Sequence, residues 1–185
     1  IPAPLEPNTI REQYVSEIAF DAQGVGWAVA DTFLMRLDPQ THRASFFKIP
    51  CKVRAECAVY ADSRGRVWVT IVGQHLTCYD TRTGKFAYVR GLDKPLGATN
   101  PWPMSVKEDN KGAIWNADWD QAFYIYDETR QEFAKIPGLT PGIATVFLLE
   151  ERPGAPPVVW AGGGSHGLMR VDGSNYRRYE FPPDP

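Results

Sequence analysis

The chain carries three histidines, His42, His75 and His166, and chemistry that needs a neutral base or an imidazole ligand starts from them. His75 and His166 each stand in a short polar stretch between two apolar runs. Acids occupy the comparable stretches elsewhere, at Asp31 and in Asp118-Trp119-Asp120. Imidazole together with carboxylate suits a divalent cation or a polar ligand. His75, Asp118, Asp120 and His166 therefore form a candidate ligand-binding set, with Asp31 and Trp119 at its edge. The competing reading makes all six solvated loop residues on a polar rim. His42 lies in the turn Asp38 to Arg43 and reads as solvated.

No catalytic residue is assigned. The chain has no G-x-S-x-G nucleophile elbow, no H-E-x-x-H pair and no phosphate-binding loop. Gly162-Gly163-Gly164 lacks the Lys-Ser/Thr that a phosphate loop requires and reads as a tight strand end. No motif implies a cofactor; a divalent cation is what the His and acid set would take.

The elements that position these residues repeat. Trp27, Trp68, Trp115 and Trp160 recur at intervals of 41, 47 and 45 residues. Each follows an acid-x-x-Gly turn: Asp21 to Gly24, Asp62 to Gly65, Asp109 to Gly112, and Glu151 to Gly154. After each tryptophan comes a loop, then an apolar run ending in aspartate at Asp38, Asp80, Asp127 and Asp172, then an aromatic run. Short β-branched and aromatic runs broken by Asp, Gly and Thr clusters predict antiparallel strands. A four-stranded unit of about 40–45 residues predicts a β-propeller blade. The fold class is thus all-β, a propeller of about four four-stranded antiparallel blades in a single domain or propeller segment. The blades span approximately 1–50, 51–91, 92–137 and 138–181. The tryptophans are expected to pack between neighbouring blades. In such a fold the loops between second and third strands share one face, and those loops carry the candidate set.

The D-x-x-G-x-hydrophobic-W pattern, the Leu-containing strand ending in Asp and the aromatic strand after it resemble two-component regulator propeller repeats. Arg66-Val67-Trp68-Val69-Thr70 and the stretch from Trp160 to Gly173 carry this resemblance most strongly. It implies the extracytoplasmic sensor half of a hybrid histidine kinase. The endings Phe47-Lys48-Ile49-Pro50, Phe133 to Pro137 and Tyr179 to Pro182 are similar to those of virginiamycin B (streptogramin) lyases. That family implies a histidine base, nearby glutamates and magnesium around a Glu-x-His element. Gln40, Gly73 and Gly164 stand two before the three histidines here, so the chain has no Glu-x-His. Both resemblances are of scaffold, which is specific for fold and poor for activity.

Composition narrows the function classes. Formal net charge is −2, with acids and bases interspersed. No basic stripe points to nucleic acid, and no Lys/Arg cluster points to a membrane surface. No apolar run approaches the length of a membrane span. The chain begins at Ile1 and reads as a processed or excised piece. Of its three cysteines, Cys51 and Cys57 flank a blade junction, where an oxidising compartment would allow a disulfide. Cys78 reads as a small buried apolar residue.

These observations point to a non-catalytic extracytoplasmic sensor or recognition propeller, periplasmic or extracellular, that binds a protein or small-molecule ligand on one face. A lyase- or lactonase-like propeller enzyme with a metal at the funnel is the alternative, and a structural subunit of a larger assembly is a third reading. Self-association or attachment to a larger chain is expected if the propeller is left unclosed.

Overall fold

The structure, a computed structural model, describes residues 15–30, 32–50, 57–71, 76–90, 103–118, 122–137, 146–162, 167–173 and 175–179. These form sixteen strands and no helix, in four antiparallel sheets of four strands each, every sheet running in simple sequence order. The first sheet holds β1 (Val15–Phe20), β2 (Gly26–Ala30), β3 (Phe33–Leu37) and β4 (Ala44–Lys48). The second holds β5 (Cys57–Ala61), β6 (Arg66–Ile71), β7 (Thr77–Asp80) and β8 (Lys85–Tyr88). The third holds β9 (Pro103–Glu108), β10 (Ile114–Asp118), β11 (Ala122–Asp127) and β12 (Glu132–Lys135). The fourth holds β13 (Val146–Glu150), β14 (Val158–Gly162), β15 (Leu168–Asp172) and β16 (Asn175–Tyr179). These are the four expected blades. They group into two units, Ile1–Val89 and Arg90–Pro185, of two blades each.

Burial follows strand position. The second strands β2 and β10 are buried at every residue, and β6 at all but its first. A strand covered on both faces reads as a nearly continuous apolar run, as Val67-Trp68-Val69-Thr70-Ile71 does. The fourth strand of the second blade, Lys85–Tyr88, is largely exposed, which its Lys and alternating pattern anticipate.

The acid-x-x-Gly turn works through a division of labour between two carboxylate oxygens. In Asp21, Asp62 and Asp109, Oδ1 accepts the backbone N–H groups two and four residues on, fixing the turn. Oδ2 accepts the indole N–H of Trp27, Trp68 and Trp115 at 3.0, 2.9 and 3.0 Å. Gly24, Gly65 and Gly112 take φ of 78°, 78° and 81°, a region open to glycine at no steric cost. One acid thus sets both the turn and the tryptophan ring.

The fourth turn departs from the sequence reading, which placed its acid at Glu151. Glu150 is the residue that pairs with Val158 and accepts the indole N–H of Trp160. In the second blade the matching bond joins Asp62 to Arg66, so the fourth turn is longer by four residues and the count from the glycine misleads. Glu151 instead accepts the backbone N–H of Asn110 on the third blade at 3.0 Å. The longer loop is pinned by Arg152, which donates two bonds to Asp172 at 2.8 and 3.1 Å and others to the Pro156 carbonyl.

Each sheet has a tryptophan-bearing face and an opposite face. In the first unit the tryptophan face of blade 1 packs on the opposite face of blade 2. Trp27 and Phe47 meet Tyr79 with ring centroids 5.9 and 5.0 Å apart, and Val29 and Leu34 share a core with Val59, Val67 and Val69. The first strands lie side by side, and Glu17 accepts the backbone N–H of Val59 at 3.1 Å. The second unit repeats the plan: Trp115, Ala117 and Phe123 of blade 3 pack on Phe147, Val159, Ala161 and Met169 of blade 4. Phe123 and Phe147 meet edge-on at 5.2 Å. Each such aromatic pair adds about 0.5–1.5 kcal/mol beyond the area it buries. Trp27 and Trp115 thus fill the inter-blade role expected of them. Trp68 is fully buried, whereas Trp160 is only half-buried.

At the turns between third and fourth strands, Asp38, Asp80 and Asp127 each accept backbone N–H groups two and three residues on. His42 lies in the first of these turns, exposed as expected, with φ of 56°. The Thr41 and Gln40 N–H groups hold the Asp38 carboxyl below its ordinary value of 3.8. The Arg82 guanidinium, then the Arg82 and Thr83 N–H groups, do the same for Asp80. A depressed folded-state pKa contributes stability that is present above 3.8 and lost as pH falls through the folded value. The urea midpoint should therefore hold at mildly acidic pH and drop below pH 3.8. The Asp38→Asn/Asp80→Asn double variant should lose less over that drop than the parent. An equal loss in both would show that these turns contribute nothing to acid sensitivity.

Candidate functional site

Five of the six candidate residues fall, along the chain, between the second and third strands of their blades. Asp31 stands between β2 and β3, His75 between β6 and β7, Trp119 and Asp120 between β10 and β11, and His166 between β14 and β15. All five lie outside the described residues, as does Cys51.

Asp118 is described, and it is not a loop residue. It closes β10, pairing with Ala122 on one side and Pro103 on the other. It is 1% exposed. Asp118 therefore belongs to the buried end of β10 and is not a solvated rim residue.

Two residues before it, on the same face of β10, lies a polar group that the sequence reading passed over. Asn116 is fully buried and donates its Nδ2–H to the Ser105 carbonyl at 3.0 Å. Its Oδ1 has no hydrogen-bond partner among the described residues. Ile114, Asn116 and Asp118 alternate along one face, so the strand turns from apolar to polar as it approaches the Trp119-Asp120 loop. The signal was an asparagine set between Trp115 and Ala117, in the apolar part of the strand. Such a buried acceptor has capacity left for a donor.

Among the described residues, no group of three or more His, Cys, Asp and Glu side chains comes together as a metal site. Cys57 and Cys78 are both buried, which for Cys78 is the packing role its sequence position suggests. Among the described residues, no helix is long and apolar enough to cross a membrane.

No protein-family model matches the chain, and no curated protein matches it either. Solved structures do. The chain is similar to the extracellular domain of the hybrid two component system BT4673 from B. thetaiotaomicron, at 15% identity and a TM-score of 0.72, over 97% of this chain and 24% of that one. It is similar also to the extracellular domain of the hybrid two component system BT3049 from the same organism, at 15% identity and a TM-score of 0.65, over 91% of this chain and 25% of that one. The Cps50 (Swd1) β-propeller domain of Myceliophteria thermophila matches at 10% identity and a TM-score of 0.62, over 84% of this chain and 53% of that domain. The chain thus spans about a quarter of the length of the two bacterial domains. At such identities the likeness speaks for architecture: the chain is an all-β protein of four propeller blades, similar in structure to extracellular domains of two-component systems.

Proposed function

We propose that this chain is a non-catalytic recognition module of an extracytoplasmic sensor, taking a small-molecule or protein ligand at the loops between second and third strands. The observation that carries the reading is the likeness, over 97% of the chain, to the extracellular domain of a hybrid two component system. The chemistry of the loops supports it. Asp118 closes β10 next to one of these loops, and recognition groups commonly sit on loops between rigid strands. In this reading His75, Asp118, Asp120 and His166 offer imidazole and carboxylate groups to the ligand, with Asp31 and Trp119 at the edge of the set.

The test is a thermal-shift screen of soluble nutrients, peptides and divalent cations against the chain and its His75→Ala/His166→Ala variant. A compound that raises the melting temperature of the parent should lose that effect in the variant, whose own melt should stay within a few degrees of the parent's, as for surface positions. A ligand that binds the double variant as tightly as the parent would refute the site.

A further inference from the structure

The residue after each repeat tryptophan points to the face opposite that ring, since neighbours in a strand alternate. Those residues are Ala28, Val69, Asn116 and Ala161, and all four are buried. Two positions further on, Ala30 and Ile71 are buried in blades 1 and 2, and Asp118 in blade 3. Among the described residues, blade 3 alone places an amide and a carboxylate where the other blades bury apolar side chains. A buried polar group costs stability unless it is hydrogen-bonded, so the repeat itself gives no reason for the exchange.

The amide is half accounted for. Asn116 Nδ2 donates to the Ser105 carbonyl at 3.0 Å, close to where the pairing of β9 with β10 shifts register between Ala117 and Asp118. That bond fixes which end of the amide is nitrogen, because a carbonyl takes only a donor. The oxygen is thereby left as an acceptor, and it has no hydrogen-bond partner among the described residues. Buried acceptors are nearly always satisfied, and an exception calls for an explanation. Asp118, on the same face, adds a carboxylate acceptor two residues on.

We infer that Asn116 and Asp118 form a site for a primary ammonium group, its N–H bonds accepted by Asn116 Oδ1 and the Asp118 carboxylate. An amide oxygen and a carboxylate both call for a donor, and the carboxylate favours one that carries positive charge. An ammonium has three N–H donors to divide between them. Calcium would want about six to eight oxygens, and no group of three or more His, Cys, Asp and Glu comes together among the described residues. β10 ends at Asp118, so the pair stands at the loop end of the strand and only the head group of a ligand need enter. The inference deepens the recognition reading above, since Asp118 belongs to both sets, and it rests on the chain being a binding module. It names the ligand's chemistry and does not need the histidines.

A nuclear magnetic resonance titration of the isotope-labelled chain with ethylammonium chloride tests it. The Asn116 side-chain amide signals, identified by backbone assignment and by their loss in Asn116→Val, should move saturably with ethylammonium. They should stay in place with ethanol, with calcium chloride and with sodium chloride at equal ionic strength. Asn116→Val and Asn116→Ala copy the residues of blade 2 and of blades 1 and 4, and should keep the parent's circular dichroism. Ethylammonium should bind them about tenfold more weakly, the scale of one hydrogen bond to a charged group, and Asp118→Asn likewise. If these variants unfold, the parent's own titration still decides. Signals unmoved by ethylammonium at any concentration short of unfolding would overturn the inference. Equal movement with ethanol or calcium would overturn it too, assigning the pair to a neutral hydroxyl or a metal. A compound whose binding needs His75 and His166 but leaves the Asn116 signals in place would overturn the ammonium site and keep the loop site. Ethylammonium binding that survives His75→Ala/His166→Ala and is lost in Asn116→Val would do the reverse.

Discussion

Replacing Asp62 with alanine should destabilise the chain by about 3–5 kcal/mol, the range for removing one partner of a buried, hydrogen-bonded ion pair. Its side chain is fully buried and accepts from four donors at once: the backbone N–H groups of Arg64 and Arg66, the Arg66 guanidinium at 2.6 Å and the Trp68 indole. Alanine withdraws all four acceptor contacts together and leaves a nearly buried guanidinium without this carboxylate. Total stabilities of domains are about 5–15 kcal/mol, so the loss should be plain in the urea midpoint. Asp62→Asn separates the contributions. Its carbonyl oxygen can still hold the turn, while its amide presents a donor to two donors, so it should fall between parent and alanine. A midpoint shift of under about 1 kcal/mol for alanine, the scale of an ordinary hydrogen bond, would show that the turn does not depend on its acid.

Trp68→Ala should cost as much, about 3–5 kcal/mol, as for a large aromatic removed from a core. The ring is fully buried, and the Arg66 guanidinium lies 4.8 Å from its centroid. Trp160 is the instructive control. It holds the same repeat position and also bonds an acid, but it is half-buried and stacks on Tyr179 at 5.8 Å. Trp160→Ala should cost less than half of what Trp68→Ala costs. Equal costs would mean that burial at these positions is not what the tryptophans contribute.

The blades were legible in the sequence because each carries its own punctuation. A tryptophan six residues past an aspartate, with a glycine between them, reports a turn and a strand in one pattern. The fourth blade shows where that reading fails. Glu150 and Glu151 are adjacent acids before a Pro-rich insertion, and composition alone does not say which of them faces Trp160. Strand pairing decides it, because neighbouring residues in a strand point to opposite faces. The candidate site was legible only as far as topology. Chain order places Asp31, His75, Asp120 and His166 between second and third strands, but burial depends on what a side chain meets after folding. Asp118 looked like a member of a polar loop and is the last buried residue of a strand. Asn116 was overlooked because one polar residue between a tryptophan and an alanine does not disturb a strand pattern.

The reach of the acid-to-indole bond also bears on the order in which the blades form. In the first three blades that bond closes a segment of six residues, and in the fourth it closes one of ten. Lengthening the closed segment from six to ten raises its entropic cost by about 0.5 kcal/mol on the usual logarithmic scaling. The first hairpins of blades 1 to 3 are therefore local events, able to form before any blade meets its neighbour. The fourth hairpin has the longer loop and the half-buried ring, so it gains least from forming alone. Contacts of low sequence separation speed folding. The chain should accordingly assemble from its first three hairpins, with the C-terminal blade condensing last and fraying first.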